Sequence, residues 1–215
     1  MAAFFLLGST ARDGHAATND ATLPSPKPWL MEKVEQAREL SQRDVKPDSP
    51  AADALKKEFK DLVDDMLDWE MMTRRSLGRS WKDLSAKQQG EFSQLLRKLI
   101  ESSYQSKMRM ASKKKVDRPK KVSIKWGEPE IKRQKASIQA KVKADKSKTF
   151  LGFELVWNGK RWRVYDVVID DVSTVRTYRS QFRKLIKDEG FPELMSRMQA
   201  KLADIEAGRA EIGSP

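Results

Sequence analysis

The chain has 215 residues, 39% of them apolar, with six Trp and eight Phe, which is enough for one domain with a buried core. It has no Cys, which excludes disulfides, thiol nucleophiles and Cys-based zinc sites; its single His15 is so near the N-terminus that a cleaved chain would hold no imidazole for a catalytic triad or a metal. The net charge of +12 lies in one stretch: residues 107–148 hold 16 Lys+Arg against 4 Asp+Glu, while the rest of the chain carries 27 of each sign.

In chain order, residues 2–7 (AAFFLL) form an apolar run too short to span a membrane. The small-x-small triplets Ser9-Thr10-Ala11 and Gly14-His15-Ala16 follow, as at a signal-peptidase site. Residues 1–16 therefore read as a signal-peptide remnant, and export is expected. Residues 17–30, with Pro24, Pro26 and Pro28, read as an extended linker, residues 31–202 as the folded domain, and residues 203–215 as a disordered tail.

Within the domain, Leu30, Val34, Ala37 and Leu40 predict a helix over 29–42. Leu55, Phe59, Leu62, Val63, Met66 and Leu67 recur at steps of three and four, predicting one helix over 53–77 that stops at Gly78. Ser85 and Gln88 make a capping box, and Phe92, Leu95, Leu96, Leu99, Ile100 and Tyr104 share one face of the helix it starts. Beyond residue 107 the period changes. Residues 122–126 alternate weakly; Ala136, Ile138, Ala140 and Val142 alternate strictly with polar residues, as do Leu151, Phe153, Leu155 and Trp157. Asn158-Gly159 suits a two-residue hairpin turn, which would pair Leu155 with Trp162 and Phe153 with Val164. Ser173 or Asp171 can cap a helix with Val175, Tyr178, Phe182, Leu185 and Ile186. Gly190 ends it, and a last helix carries Leu194, Met195, Met198 and Leu202. Helices, then about four strands, then helices give an α+β domain, an antiparallel sheet packed against helices on one face.

Three function classes compete. The Lys-rich stretch fits an anionic lipid surface, an acidic partner or nucleic acid, and its bland reading is a solvated, edge-protecting face. Nothing resembles a recognition helix, and export would separate the chain from nucleic acid. An α+β enzyme would have to use Asp166 and Asp170. For these carboxylates the structural reading is Asp170 as turn residue, Asp171 as helix cap, and Asp166 on the dry face, hydrogen-bonded to Tyr or Arg. The third class is a binding protein whose apolar stripes enclose a ligand, with no cofactor and no metal.

Two stretches carry a family resemblance. Trp81, Leu84, Ser85, Gln88, Phe92, Leu95, Leu96, Leu99, Ile100, Glu101 and Tyr104 form the first. Trp162, Val164, Tyr165, Asp166, Val167, Val172, Ser173, Tyr178, Arg179, Gln181 and Phe182 form the second, continued by Gly190, Phe191 and Leu194. Together they resemble the MlaC (toluene-tolerance) family, the periplasmic phospholipid-binding component of the Mla ABC transport system. The sequence departs at Asp171, where that family often has Gly, and in its more basic middle. The resemblance implies a carrier rather than an enzyme. It would hold acyl chains in an apolar cavity, with the head group outside. It would shuttle lipid between an outer-membrane lipoprotein–porin complex and the inner-membrane transporter, touching membrane transiently. The expected cavity wall is Leu62, Met66, Leu95, Leu96, Leu99, Ile138, Ala140, Val142, Leu151, Phe153, Leu155, Trp162, Val164, Tyr178, Phe182 and Met195, with Met66, Leu96 and Leu99 facing the hairpin. The expected membrane or partner contacts are Lys113, Lys114, Lys115, Lys120 and Lys121.

Overall fold

The computed structural model of the protein describes residues 23–46, 49–113, 122–145 and 147–209. The inferred signal-peptide remnant lies outside the described residues, as do Lys114, Lys115, Lys120 and Lys121. Among the described residues, six α-helices and six strands follow one another as α1 (Lys27–Gln42), α2 (Pro50–Met66), α3 (Trp69–Leu77), a 3-10 helix (Gly78–Asp83), α4 (Ala86–Lys113), β1 (Val122–Trp126), β2 (Glu130–Lys132), β3 (Lys135–Ala144), β4 (Ser147–Trp157), β5 (Trp162–Ile169), β6 (Val172–Ser173), α5 (Thr174–Glu189) and α6 (Phe191–Glu206).

Short polar side chains set the helix starts. Ser49 accepts from the Ala52 amide, Ser173 from Arg176, and Ser85 from Gln88, whose own carboxamide oxygen accepts from the Ser85 amide, closing the capping box. Gly78 ends α3 at φ +60°, and a Cβ there would meet the Arg179 stem at 2.9 Å. The single helix expected over 53–77 is in fact two. Leu67 turns extended and bridges to Val164, and the Asp68 amide donates to the Val164 carbonyl at 2.8 Å. The Asp68 carboxylate then caps α3 through the Met71 amide. Sheet pairing thus overrides an unbroken apolar period. Both ends of the domain also run further than composition suggests. Lys27 to Leu30 are helical inside the inferred linker, Trp162 donates to the Pro24 carbonyl at 2.7 Å, and α6 continues to Glu206 with Ile205 buried.

The sheet is antiparallel, ordered β1-β3-β4-β5-β6, with β2 also on β3. It has six strands rather than about four, because β2 and β6 are too short to show alternation. The β4–β5 turn spans four residues, not two. Asn158 Oδ1 accepts from the Lys160 and Arg161 amides, the Asn158 amide donates to the Arg161 carbonyl, and Trp157 faces Trp162. Leu155 therefore pairs with Val164, a shift of two residues that keeps the apolar faces together. A bulge then leaves Tyr165 unpaired, so Phe153 meets Val167 and Asp166 meets Glu154. A two-residue turn is instead formed by Asp170-Asp171, at φ +46° and +68°, joining Ile169 to Val172. Asp171 occupies the left-handed position that Gly suits, and Ser173 alone caps α5.

Leu30 of α1, with Trp29 and Val34, packs on the dry face of the sheet beside Met66. On the other face the N-terminus of α5 meets β5, and Arg75 of α3 stacks 4.3 Å above the Tyr165 ring. Helices α3 to α6 build a separate core around Phe92, which meets Phe182 edge-on at 5.6 Å.

Candidate functional site: an apolar face open along one edge

Cross-strand register sorts the dry face into rows. Ile131, Ala136, Leu155 and Val164 form the first, Ile138, Phe153 and Val167 the second, and Trp126, Ala140, Leu151, Ile169 and Val172 the third. Ile124 and Val142 begin a fourth. In the first row Ala136, Leu155 and Val164 pack with Leu30 of α1, the last two at 0% exposure, while Ile131 on the short β2 is 37% exposed. Phe153 keeps 6% and stacks on Trp126 at 5.8 Å. Cover fails along the third row. Ala140 is buried and Leu151 half-buried, while Ile169 is 48% and Val172 60% exposed. One continuous apolar surface thus starts as closed core and ends uncovered at the β5–β6 edge. Such an edge, bordered by the polar Asp170-Asp171 turn, is the kind of patch that receives an apolar ligand.

The expected wall residues do not form one wall. Ile138, Ala140, Val142, Leu151, Phe153, Leu155, Trp162 and Val164 share the dry face, and Met66 packs there from α2. Leu95, Leu96, Leu99, Tyr178, Phe182 and Met195 belong to the helical core, because α4 packs on α6 and α3 rather than on the sheet. The expected facing of Leu96 and Leu99 onto the hairpin is therefore replaced by helix–helix packing. Leu62 sits with Leu40 and Leu55 between α1 and α2. Lys113 is the last residue of α4. Sequence reasoning missed Trp126, Val167, Ile169 and Val172. Trp126 was visible in the weak alternation of β1, but the bulge at Tyr165 breaks the period that would have shown Val167 and Ile169.

A concavity of about 680 Å³ lies between α4 and α6. Leu95, Phe191, Met195 and Leu202 line it together with Glu91 and Lys98, and more than half of its lining residues are polar. Its lining is mixed, with the apolar side chains interleaved with charged and amide groups.

The carboxylates expected as enzymatic alternatives have structural partners. Asp166 lies on the face opposite Leu155, because the bulge reverses its direction. It is buried, accepting from the Ser173 hydroxyl and the Val175 amide. Asp170 accepts from the Phe150 amide at 2.8 Å. Among the described residues no group of His, Asp and Glu is arranged to hold a metal, and no helix is long and apolar enough to cross a membrane.

Two adjacent aspartates at the end of α2 join the cores. Asp64 accepts from Trp69 Nε1 at 2.9 Å and pairs with Lys60 and with Arg97 of α4. Burial pushes its pKa up, but these hydrogen bonds and the Arg97 charge bring the net shift below the usual carboxylate range. Asp65 pairs with Lys33 of α1 at 2.8 Å and with Arg161 of the hairpin turn. The Lys33 hydrogen bond, against burial and aided by Arg161, holds its pKa low.

A family model described as MlaC protein matches residues 35–200. A solved structure of a phospholipid-binding protein from Ralstonia solanacearum, in complex with a phospholipid, is similar to this chain with a TM-score of 0.67 and 17% identity. The match covers 85% of this chain and 99% of that one, and at that identity it shows a shared fold. No curated protein matches.

Proposed function

The chain belongs to the MlaC family, and from that premise we propose that it is a phospholipid carrier of the periplasm that shuttles lipid between the outer membrane and an inner-membrane Mla-type ABC transporter. The observation that carries this reading is the row Trp126–Ala140–Leu151–Ile169–Val172, apolar throughout and uncovered at one end. Five strands spaced at about 4.8 Å make it roughly 19 Å long. An acyl chain laid along it leaves water without any polar group of the protein being stranded.

The energetics set what a carrier must do. Each methylene withdrawn from water is worth about 0.8 kcal/mol, so two chains of about fifteen methylenes imply on the order of 24 kcal/mol of gross transfer energy. The open row supplies the first contact. Deeper insertion along Phe153 and Ile138 requires α1, held through Leu30, to yield. Binding, not bond chemistry, is the activity, in keeping with structural partners for Asp166 and Asp170.

Organic extraction of the purified protein followed by lipid mass spectrometry tests this. About one phospholipid per chain is expected. A protein that purifies empty and takes up none from phospholipid vesicles overturns the reading.

A further inference from the structure

The wet face of the same sheet carries a second feature. Register places Lys125 opposite Lys141, Lys143 opposite Lys148, and Lys141 opposite Phe150. Lys125, Lys143 and Lys148 are exposed, and none of the four lysines pairs with a carboxylate among the described residues. Phe150 stands among them 51% exposed, with the Lys141 ammonium 5.5 Å from its ring centroid. One exposed ring is ordinary by itself, but an apolar ring set among unpaired ammonium groups is the combination that suits the boundary between lipid head groups and acyl chains.

We propose that Lys125, Lys141, Lys143, Lys148 and Phe150 form a docking face for an anionic phospholipid bilayer, the ammonium groups meeting head-group phosphates and Phe150 entering the interface. Charge complementarity supports it. Four like charges on the three adjacent strands β1, β3 and β4 repel one another, and the nearby ammonium groups of Lys148, Lys143 and Lys125 hold the pKa of Lys141 below the ordinary lysine range. An anionic surface relieves that repulsion. Position favours a bilayer over an acidic protein or nucleic acid. The Phe150 amide donates to Asp170, and the Asp170 amide donates back to the Phe150 carbonyl at 2.9 Å. Asp170 heads the turn between Ile169 and Val172. A membrane met by the basic face therefore lies beside the open apolar edge; that alignment rests on the carrier reading, whereas the charge complementarity does not.

The test is co-sedimentation of the full chain with phosphatidylcholine vesicles, with and without phosphatidylglycerol. Binding is expected only with phosphatidylglycerol and should fall steeply with salt. Each lysine at an anionic surface is worth about a fivefold change in affinity, so Lys141→Glu with Lys148→Glu should weaken binding by at least about 25-fold. Phe150→Ser should weaken it less and leave the salt dependence intact. Lys184→Glu with Lys187→Glu on α5 changes net charge equally and should cost much less. Equal loss from both double variants, or no binding of the unmodified chain to phosphatidylglycerol vesicles, overturns the proposal. So does binding untouched by the Lys141 and Lys148 reversals, which would leave the face to an acidic protein. Bound lipid, measured by extraction in the same samples, stays constant if only docking is altered, which separates this outcome from failure of the carrier reading.

Discussion

The two ends of the sheet's dry face are made of the same residue types on the same strands, yet they meet different environments. Leu155 and Val164 lie under Leu30 of α1 with no exposure, whereas Ile169 and Val172, two rows along, are about half exposed. Strand alternation treats both ends alike. What differs is whether a helix lies above them. A helix can rotate its stripe toward a neighbour, as α4 does in turning Phe92, Leu95 and Leu96 into the helical core. A strand fixed in register cannot turn one residue away. Apolar residues left bare by that constraint are therefore the best pointer to a site.

The largest expected effect lies at the closed end. Leu155→Arg places a charge with no route to water beneath α1, and should cost several kcal/mol, enough to abolish a cooperative melt. A folded Leu155→Arg variant with ordinary stability would mean that α1 opens readily and that the two ends are not distinct.

At the open edge, Ile169→Asp combined with Val172→Asp should shift the urea midpoint little, because both side chains already contact water. The same variant should lose most of its phospholipid in extracts, since a carboxylate beside an acyl chain must be desolvated. Retention of lipid at the level of the unmodified chain would remove the edge from the site.

The smallest effect sharpens how the closed end is tethered. Asp65 joins α1 to the hairpin turn, and its folded pKa lies below its unfolded value of 3.8. Its stabilisation is present above that value and is lost as pH falls through the folded pKa. Asp65→Asn should thus cost about 0.5–1 kcal/mol at pH 7, and the difference from the unmodified chain should shrink below about pH 4. Urea melts at both pH values read it directly.

Much of this architecture is legible in the residues. The capping box at Ser85 and Gln88, the stop at Gly78, and the alternation of β3 and β4 each depend on neighbours within a few positions, so local chemistry decides them. The α+β class follows from the order of those periods. The site was legible only by half. Leu151, Phe153 and Ile138 alternate in plain view, but Val167 and Ile169 are hidden by the Tyr165 bulge, and Val172 sits in a strand of two residues.

The sequence by itself determined which residues are apolar, which face of each regular strand they occupy, and where most helices begin and end, because these follow from backbone period and capping. Only the tertiary structure decided the break at Leu67-Asp68, the four-residue turn at Asn158, the reversal of Asp166 and the sorting of apolar stripes into separate cores. Each of these depends on a partner far away in sequence: Val164 for Leu67, Val175 for Asp166, α6 for α4. The exposure of Ile169 and Val172 belongs with them, because whether an apolar face is core or binding surface is settled by what else packs on it, which no local pattern encodes.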